Sequence, residues 1–249
     1  MRPEADHYFS ANPQTAQRPT QVDFALGGHE FHLVAGGGVF SADRLDPGTS
    51  VLLHKAPAPD PATAGPLLDL GCGYGPITCY LARVAPRATV YAVDVNARAL
   101  ELTRANADAA GVGARVITSG PDGVPEGVAF QQIWGNPPIR VGKAELHALL
   151  RRWLNRLAPD GVAWLVVARH LGADSLQAWM VEQGWTADRH ASQRGFRVLR
   201  VARDPSRFRS QASRDETRFR SQASRDETRF RSQASRNSHD ETTVDQENA

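Results

Sequence analysis

A short apolar run, Pro66-Leu67-Leu68-Asp69-Leu70, passes directly into Gly71-Cys72-Gly73-Tyr74-Gly75-Pro76, and a helical pattern follows to Val84. A strand that hands over to a helix through alternate glycines leaves bare backbone at the helix start, where a ligand can approach closely. The glycines run Gly71-x-Gly73-x-Gly75, which departs from the GxGxxG spacing of dinucleotide sites, and no Gly-Lys-Ser/Thr follows, so a P-loop is excluded. Twenty-one residues after Gly73, a second apolar strand ends in Val93-Asp94-Val95-Asn96. An acid at that place can hydrogen-bond ribose hydroxyls; the competing reading is that Asp94 caps the helix that follows.

The rest of the body repeats this alternation. Strands are predicted at Pro66–Leu70, Thr89–Val93, Arg115–Thr118, Val128–Trp134 and Val162–Ala168, the last a continuous apolar run of the kind buried on both faces. Helices are predicted at Pro76–Val84, Ala97–Ala110, Lys143–Leu157 and Asp174–Gln183. In the third of these, Leu146, Leu149, Leu150, Trp153, Leu154 and Leu157 form one buried face. Trp185–His190 and Phe196–Ala202 are joined by Ser192–Gly195, too short for a parallel crossover, so this pair is antiparallel. Upstream, Val22–Leu26 and Glu30–Val34 alternate around Gly27-Gly28 as a hairpin, and Val51-Leu52-Leu53 begins a short helix. The expected fold is α/β: a Rossmann-like, seven-stranded, mostly parallel sheet with a C-terminal antiparallel hairpin and a short N-terminal β lead-in.

Composition bounds the partners. Across 249 residues, 29 basic and 27 acidic side chains give a formal charge of +2, too balanced for a general nucleic-acid or membrane field. Two cysteines, Cys72 and Cys79, exclude a disulfide framework and fit a reducing compartment. The longest apolar run, Val162–Ala168, is far short of a membrane span, and a cytoplasmic protein is expected. From Asp204 onward only eight of 46 residues are hydrophobic, and RFRSQASRDET occurs at Arg207–Thr217, again at Arg218–Thr228, and in part from Arg229. Each copy offers only Phe and Ala as apolar residues, too little for a coiled-coil seam, so a disordered tail with 11-residue repeats is expected.

At the end of the fourth sheet strand stands Asn136-Pro137-Pro138-Ile139-Arg140. With Asp69–Pro76, Val93–Asn96, Arg169–Ser175, Gly195–Leu199 and Gly38–Ser41, this turn makes the chain resemble the class I S-adenosylmethionine-dependent methyltransferases. Within them it is most similar to the small-domain guanine-2-amino rRNA methyltransferases, over roughly Asp6 to Arg203. The resemblance implies residues 64–203 as the methyltransferase domain, residues 1–63 as a lead-in packed on it, and residues 204–249 as the tail. It implies S-adenosyl-L-methionine held by Asp69, Gly71, Cys72, Gly73, Gly75, Asp94, Asn96 and Asp122, with Asn136, Pro137 and Pro138 at the reacting centre. Substrate contacts are expected from Ile139, Arg140 and Lys143, with His147 beside Lys143 and His170 also weighed for substrate contact. Relatives acting on adenine or glutamine usually carry an aromatic residue where Ile139 stands. Gln131 and Gly135 also depart from the family, which tends to have Asp and Ser there.

The chemistry of the turn agrees with that implication. The Asn136 side-chain oxygen and the Pro137 carbonyl can accept hydrogens from a planar exocyclic amine while the prolines fix the turn. Methyl transfer of this kind is mostly positioning, and no metal is required. The expected substrate is guanine in small-subunit ribosomal RNA, with the RNA or the small ribosomal subunit as partner, no membrane contact and a monomer favoured. Two other readings stay open: the same transfer to a small molecule or a protein glutamine, and a non-catalytic cofactor-binding protein with an interaction tail.

Overall fold

The computed structural model describes residues 19–37, 44–138 and 141–204. The chain divides into two units, Met1–Arg203 and Asp204–Ala249, and every described strand and helix belongs to the first. The repeats, Gly38–Ser41, Ile139 and Arg140 lie outside the described residues.

The N-terminal hairpin pairs β1 (Thr20–Leu26) with β2 (His29–Ala35) in the register Leu26↔His29 to Thr20↔Ala35. Gly27 and Gly28 both take positive φ, +58° and +78°, which matches the right-handed twist of the strands in a two-residue turn. Val22, Phe31, Leu33 and Ala35 are buried in the same core as Tyr80 and Trp134. Asn106 ties the hairpin to the glycine loop: its Oδ1 accepts from Val34 N–H at 2.8 Å, and its Nδ2 donates to the carbonyls of Val34 (2.9 Å) and Tyr74 (2.7 Å).

The next element, α1 (Pro47–Lys55), starts four residues before the expected Val51. Asp46 explains this: its Oδ1 accepts the Thr49 N–H at 2.8 Å, and Pro47 fills the first helical position, where no N–H is needed.

The main sheet contains β3 (Leu67–Leu70), β4 (Val90–Val93), β5 (Val116–Ser119), β6 (Phe130–Gly135), β7 (Leu157–Ala168), β8 (Trp185–Gln193) and β9 (Phe196–Arg203), in the order β5-β4-β3-β6-β7-β9-β8. β3 to β7 are mutually parallel, and β9 runs antiparallel to both β7 and β8. Every residue of β3 is buried, as expected of a strand covered on both faces. The connecting helices are α2 (Pro76–Val84), α3 (Ala97–Ala109), α4 (Lys143–Leu154) and α5 (Ala173–Glu182). Strand order reverses at β3: the chain moves outward to β5 and returns to place β6 on the other side, which opens a crevice at the carboxyl ends of β3, β4 and β6.

Two further elements depart from the expected pattern. Leu157 does not continue the buried face of α4; it pairs with Phe130 at the start of β7, and Phe130 N–H donates to the Arg156 carbonyl at 2.7 Å. The strand partner takes the backbone groups, and Pro159 disfavours helix at the preceding residue. The β8–β9 connection is also shorter than Ser192–Gly195: pairing extends to Gln193↔Phe196, leaving Arg194 (φ +49°) and Gly195 (φ +81°) as a two-residue turn.

Among the described residues no helix is long and apolar enough to cross a membrane, and no group of three or more His, Cys, Asp or Glu could hold a metal.

Candidate active site

The glycine loop is suspended from β4: the N–H groups of Gly71 and Cys72 donate to the Val93 carbonyl at 2.8 and 3.1 Å. Gly71 faces open space, where a Cβ would meet no atom within 4 Å. Gly75 shares with Gly71 (φ +77°) a left-handed backbone that favours glycine, and has a steric reason besides. Its φ is +91°, and a Cβ would lie 3.0 Å from the Thr103 side chain and 3.2 Å from its Cα, so α3 could not approach the loop.

Asp94 braces this loop from the end of β4. Its Oδ2 accepts from Gly73 N–H at 3.0 Å and its Oδ1 from Asn96 N–H at 2.9 Å. Burial raises its carboxyl above the ordinary aspartate range, and these backbone donors offset that only in part. The helix-cap reading of Asp94 is settled by its neighbour: Asn96 Oδ1 accepts from the N–H groups of Arg98 (3.0 Å) and Ala99 (3.4 Å) and is the cap of α3. Beneath the loop, Asp69 is wholly buried. Its Oδ2 accepts the Thr78 hydroxyl at 2.6 Å, and its Oδ1 has no hydrogen-bond partner among the described residues. Burial raises its carboxyl to about 7, so it is largely neutral at pH 6. Cys72 is buried beside Asp94 and Asp69, and burial together with those two acids holds its thiol well above the usual range, which leaves no reactive thiolate.

Opposite the loop, Asn136 follows β6. Its Nδ2 donates to Asp46 Oδ1 at 2.7 Å and to Thr49 Oγ1 at 3.2 Å, both from the start of α1. Among the described residues no donor reaches its side-chain oxygen.

A cavity of about 380 Å³ joins the two sides. Gly71, Cys72, Gly73, Asp94, Val95 and Asn96 form one wall, and Asp46, Thr49, Asn136, Pro137, Pro138 and Phe196 form the facing wall. Pro121, Leu149 and Trp153 supply an apolar end, and His170 and Leu171 also line it.

The fold thus brings together Gly71, Cys72, Gly73, Asp94, Asn96, Asn136, Pro137 and Pro138 from the expected set. Asp69 and Gly75 support the loop from behind rather than line the cavity. Asp122 is turned away: it sits on an exposed 3-10 turn, and its carboxylate pairs with Arg152 at 2.8 Å, so that Pro121 takes the place in the wall. Lys143 is exposed at the first position of α4 and outside the lining. His147, its neighbour on the helix, is buried against Trp179 with ring centroids 3.7 Å apart. Asp46, Thr49, Leu149, Trp153 and Phe196 were not expected. An Asp-Pro pair is a helix-start signal that would have found α1, but nothing local ties it to an asparagine 90 residues away.

The model of the methyltransferase small-domain family matches residues 30–200. An uncharacterised protein of Bacillus subtilis, YbxB, is 34% identical over 173 residues, 69% of this chain and 85% of the relative. Ribosomal RNA small subunit methyltransferase C of Pseudomonas aeruginosa is 34% identical over 177 residues, 65% of this chain and 52% of the relative. Among solved structures, the T. thermophilus 16S rRNA N2 G1207 methyltransferase RsmC, in complex with AdoMet and guanosine, superposes with a TM-score of 0.64 at 25% identity. That match covers 77% of this chain and 52% of the neighbour. The chain therefore spans about half the length of the RsmC relatives and most of the Bacillus one. The seven-stranded sheet, the glycine loop facing Asn-Pro-Pro, and a family match over most of the chain together say that it belongs to the methyltransferase small-domain family of S-adenosylmethionine-dependent enzymes.

Proposed function

We propose that the protein transfers a methyl group from S-adenosylmethionine to the exocyclic 2-amino group of guanine in small-subunit ribosomal RNA. The observation that carries this reading is the committed Asn136 amide: with its nitrogen bound to Asp46 and Thr49, its oxygen is left to accept. An acceptor suits an amine that presents hydrogens in its own plane.

The cavity fits the cofactor. Its volume of about 380 Å³ lies in the ordinary range for small-molecule sites. The Asp94 carboxylate, already fixed by two backbone N–H groups, has lone pairs left for a ribose diol, and the open side of Gly71 admits a close neighbour. Pro121 and Leu149, backed by the fully buried Trp153, offer apolar surface to a purine. When bound, S-adenosylmethionine supplies a sulfonium methyl that the amine lone pair takes in line, the S–C electron pair returning to sulfur and one amine proton leaving to solvent. Asn136 and Pro137 hold the amine so that its lone pair is freed from the ring and directed at that methyl. A guanine inside a duplex or a ribosomal subunit has to be turned out to reach them.

The T. thermophilus enzyme supports the guanine assignment by its own substrate, as does the lack of an aromatic residue at Ile139. The test is transfer of labelled methyl to small-subunit RNA that lacks the mark, run beside free guanosine and a glutamine-containing protein substrate. Label confined to either of the last two contradicts the proposal.

Asp94→Ala removes the ribose acceptor and the brace on Gly73 together. It is expected to weaken S-adenosylmethionine binding about 100-fold by isothermal titration, the order of one lost charge-assisted pair of hydrogen bonds. An unchanged Kd would place the ribose elsewhere.

A further inference from the structure

The cavity wall holds one carboxylate that the reaction described above does not use. Asp46 Oδ1 accepts two hydrogen bonds, from Thr49 N–H at 2.8 Å and from Asn136 Nδ2 at 2.7 Å. An asparagine amide is nearly symmetric in shape, and its oxygen and nitrogen exchange places by a half-turn about one bond. In one orientation it offers the cavity an acceptor, in the other a pair of donors. Only the first is compatible with an amine substrate, since donors would face the amine hydrogens. A carboxylate has no hydrogen to give, so beside it Asn136 must present its nitrogen. We infer that Asp46 is a positioning residue that fixes the polarity of Asn136, making the site accept amine hydrogens and reject a carbonyl or hydroxyl oxygen as the group to be held.

Several features make the lock rigid. Asp46 is the N-cap of α1, so its side chain is held by the same bond that starts the helix. Thr49, one turn into α1 and buried, adds a second acceptor to the Asn136 nitrogen at 3.2 Å. A Cβ on Gly48 would lie 3.0 Å from the Phe196 ring, so α1 is seated directly against β9 and has little freedom to withdraw. The helix start thus serves two purposes, closing the cavity wall and orienting the amide.

The inference rests on the catalytic reading of Asn136, and the test keeps the two apart. Asp46→Ser keeps a good N-cap but replaces an obligate acceptor by a hydroxyl that can donate to the Asn136 oxygen. It is expected to lower kcat for RNA methylation about 30-fold, with KM and cofactor Kd within about threefold, as one charged hydrogen bond made to a positioning partner implies. In the Asn136→Ala background the same substitution should change kcat less than about twofold, because coupled residues are not additive. An equal loss in both backgrounds overturns the inference while leaving Asn136 catalytic; a normal rate for Asn136→Ala overturns the functional reading itself. A readout without turnover decides the point in either case. The Asn136 side-chain amide resonances, assigned by their loss in Asn136→Ala, should be slow to exchange with solvent in the parent protein and become fast in Asp46→Ser. Unaltered exchange in Asp46→Ser overturns the inference.

Discussion

Asn136→Ala is expected to reduce kcat for RNA methylation about 10²–10³-fold, the loss typical when one preorganised polar group at a reacting centre is removed. The physical content is narrow. The side chain is held by two bonds from α1, at 2.7 and 3.2 Å, and contributes a single oriented oxygen, so its removal leaves the glycine loop and the Asp94 brace untouched. Cofactor Kd should therefore stay within about threefold, because none of the cofactor-side groups is disturbed. Methyl-transfer kinetics and isothermal titration on the same preparation separate the two quantities. A rate near that of the parent protein would remove Asn136 from the chemistry, and a parallel loss of cofactor affinity would recast it as part of the binding wall.

Asp69→Asn is expected to change how stability depends on pH. The buried carboxyl titrates at about 7 in the fold against 3.8 for an ordinary aspartate. Between those values the unfolded chain has lost a proton that the folded one keeps, so the parent protein loses stability as pH rises from about 4 to about 7, then levels off. A shift of that size corresponds to about 4 kcal/mol. Asparagine cannot ionise, so its urea-unfolding free energy should lack this fall, and the gap between the two proteins should widen in favour of Asp69→Asn across that interval. Parallel curves would mean that Asp69 is ionised in the fold, its charge met by Thr78 and neighbouring backbone. The reason for the shift is burial: the carboxyl is wholly out of water, the hydrogen bond from Thr78 offsets this only in part, and the other oxygen meets no hydrogen-bond donor among the described residues.

Much of this architecture was legible because it is written in local pattern. α2 begins and ends at the residues that periodicity and the Pro76 start signal indicate, and β4, α3 and β6 differ only at their edges. The glycine loop was legible for the same reason, although spacing alone could not tell Gly71, which faces the cavity, from Gly75, which admits Thr103. What failed depended on partners distant in sequence. Leu157 sits at a helical interval from Leu146, but pairing with Phe130 and the proline at 159 take it into β7. Asp122 occupies the expected place in the chain, yet its carboxylate lies on the surface beside Arg152, thirty residues on, outside the cavity lining. Asp46 was overlooked because its role exists only where α1 and the end of β6 meet.

Under the proposed function, the glycine-loop wall and the Asn136 wall together receive one planar amine, and the start of α1 sets the polarity of Asn136. The most direct test is mass spectrometry of nucleosides from small-subunit ribosomal RNA, lacking the mark at the outset, after incubation with the full chain and S-adenosylmethionine carrying a labelled methyl. The expected product is labelled 2-methylguanosine, lost in Asn136→Ala. Label on adenosine or on protein, or no label from a chain that binds the cofactor, would contradict the assignment.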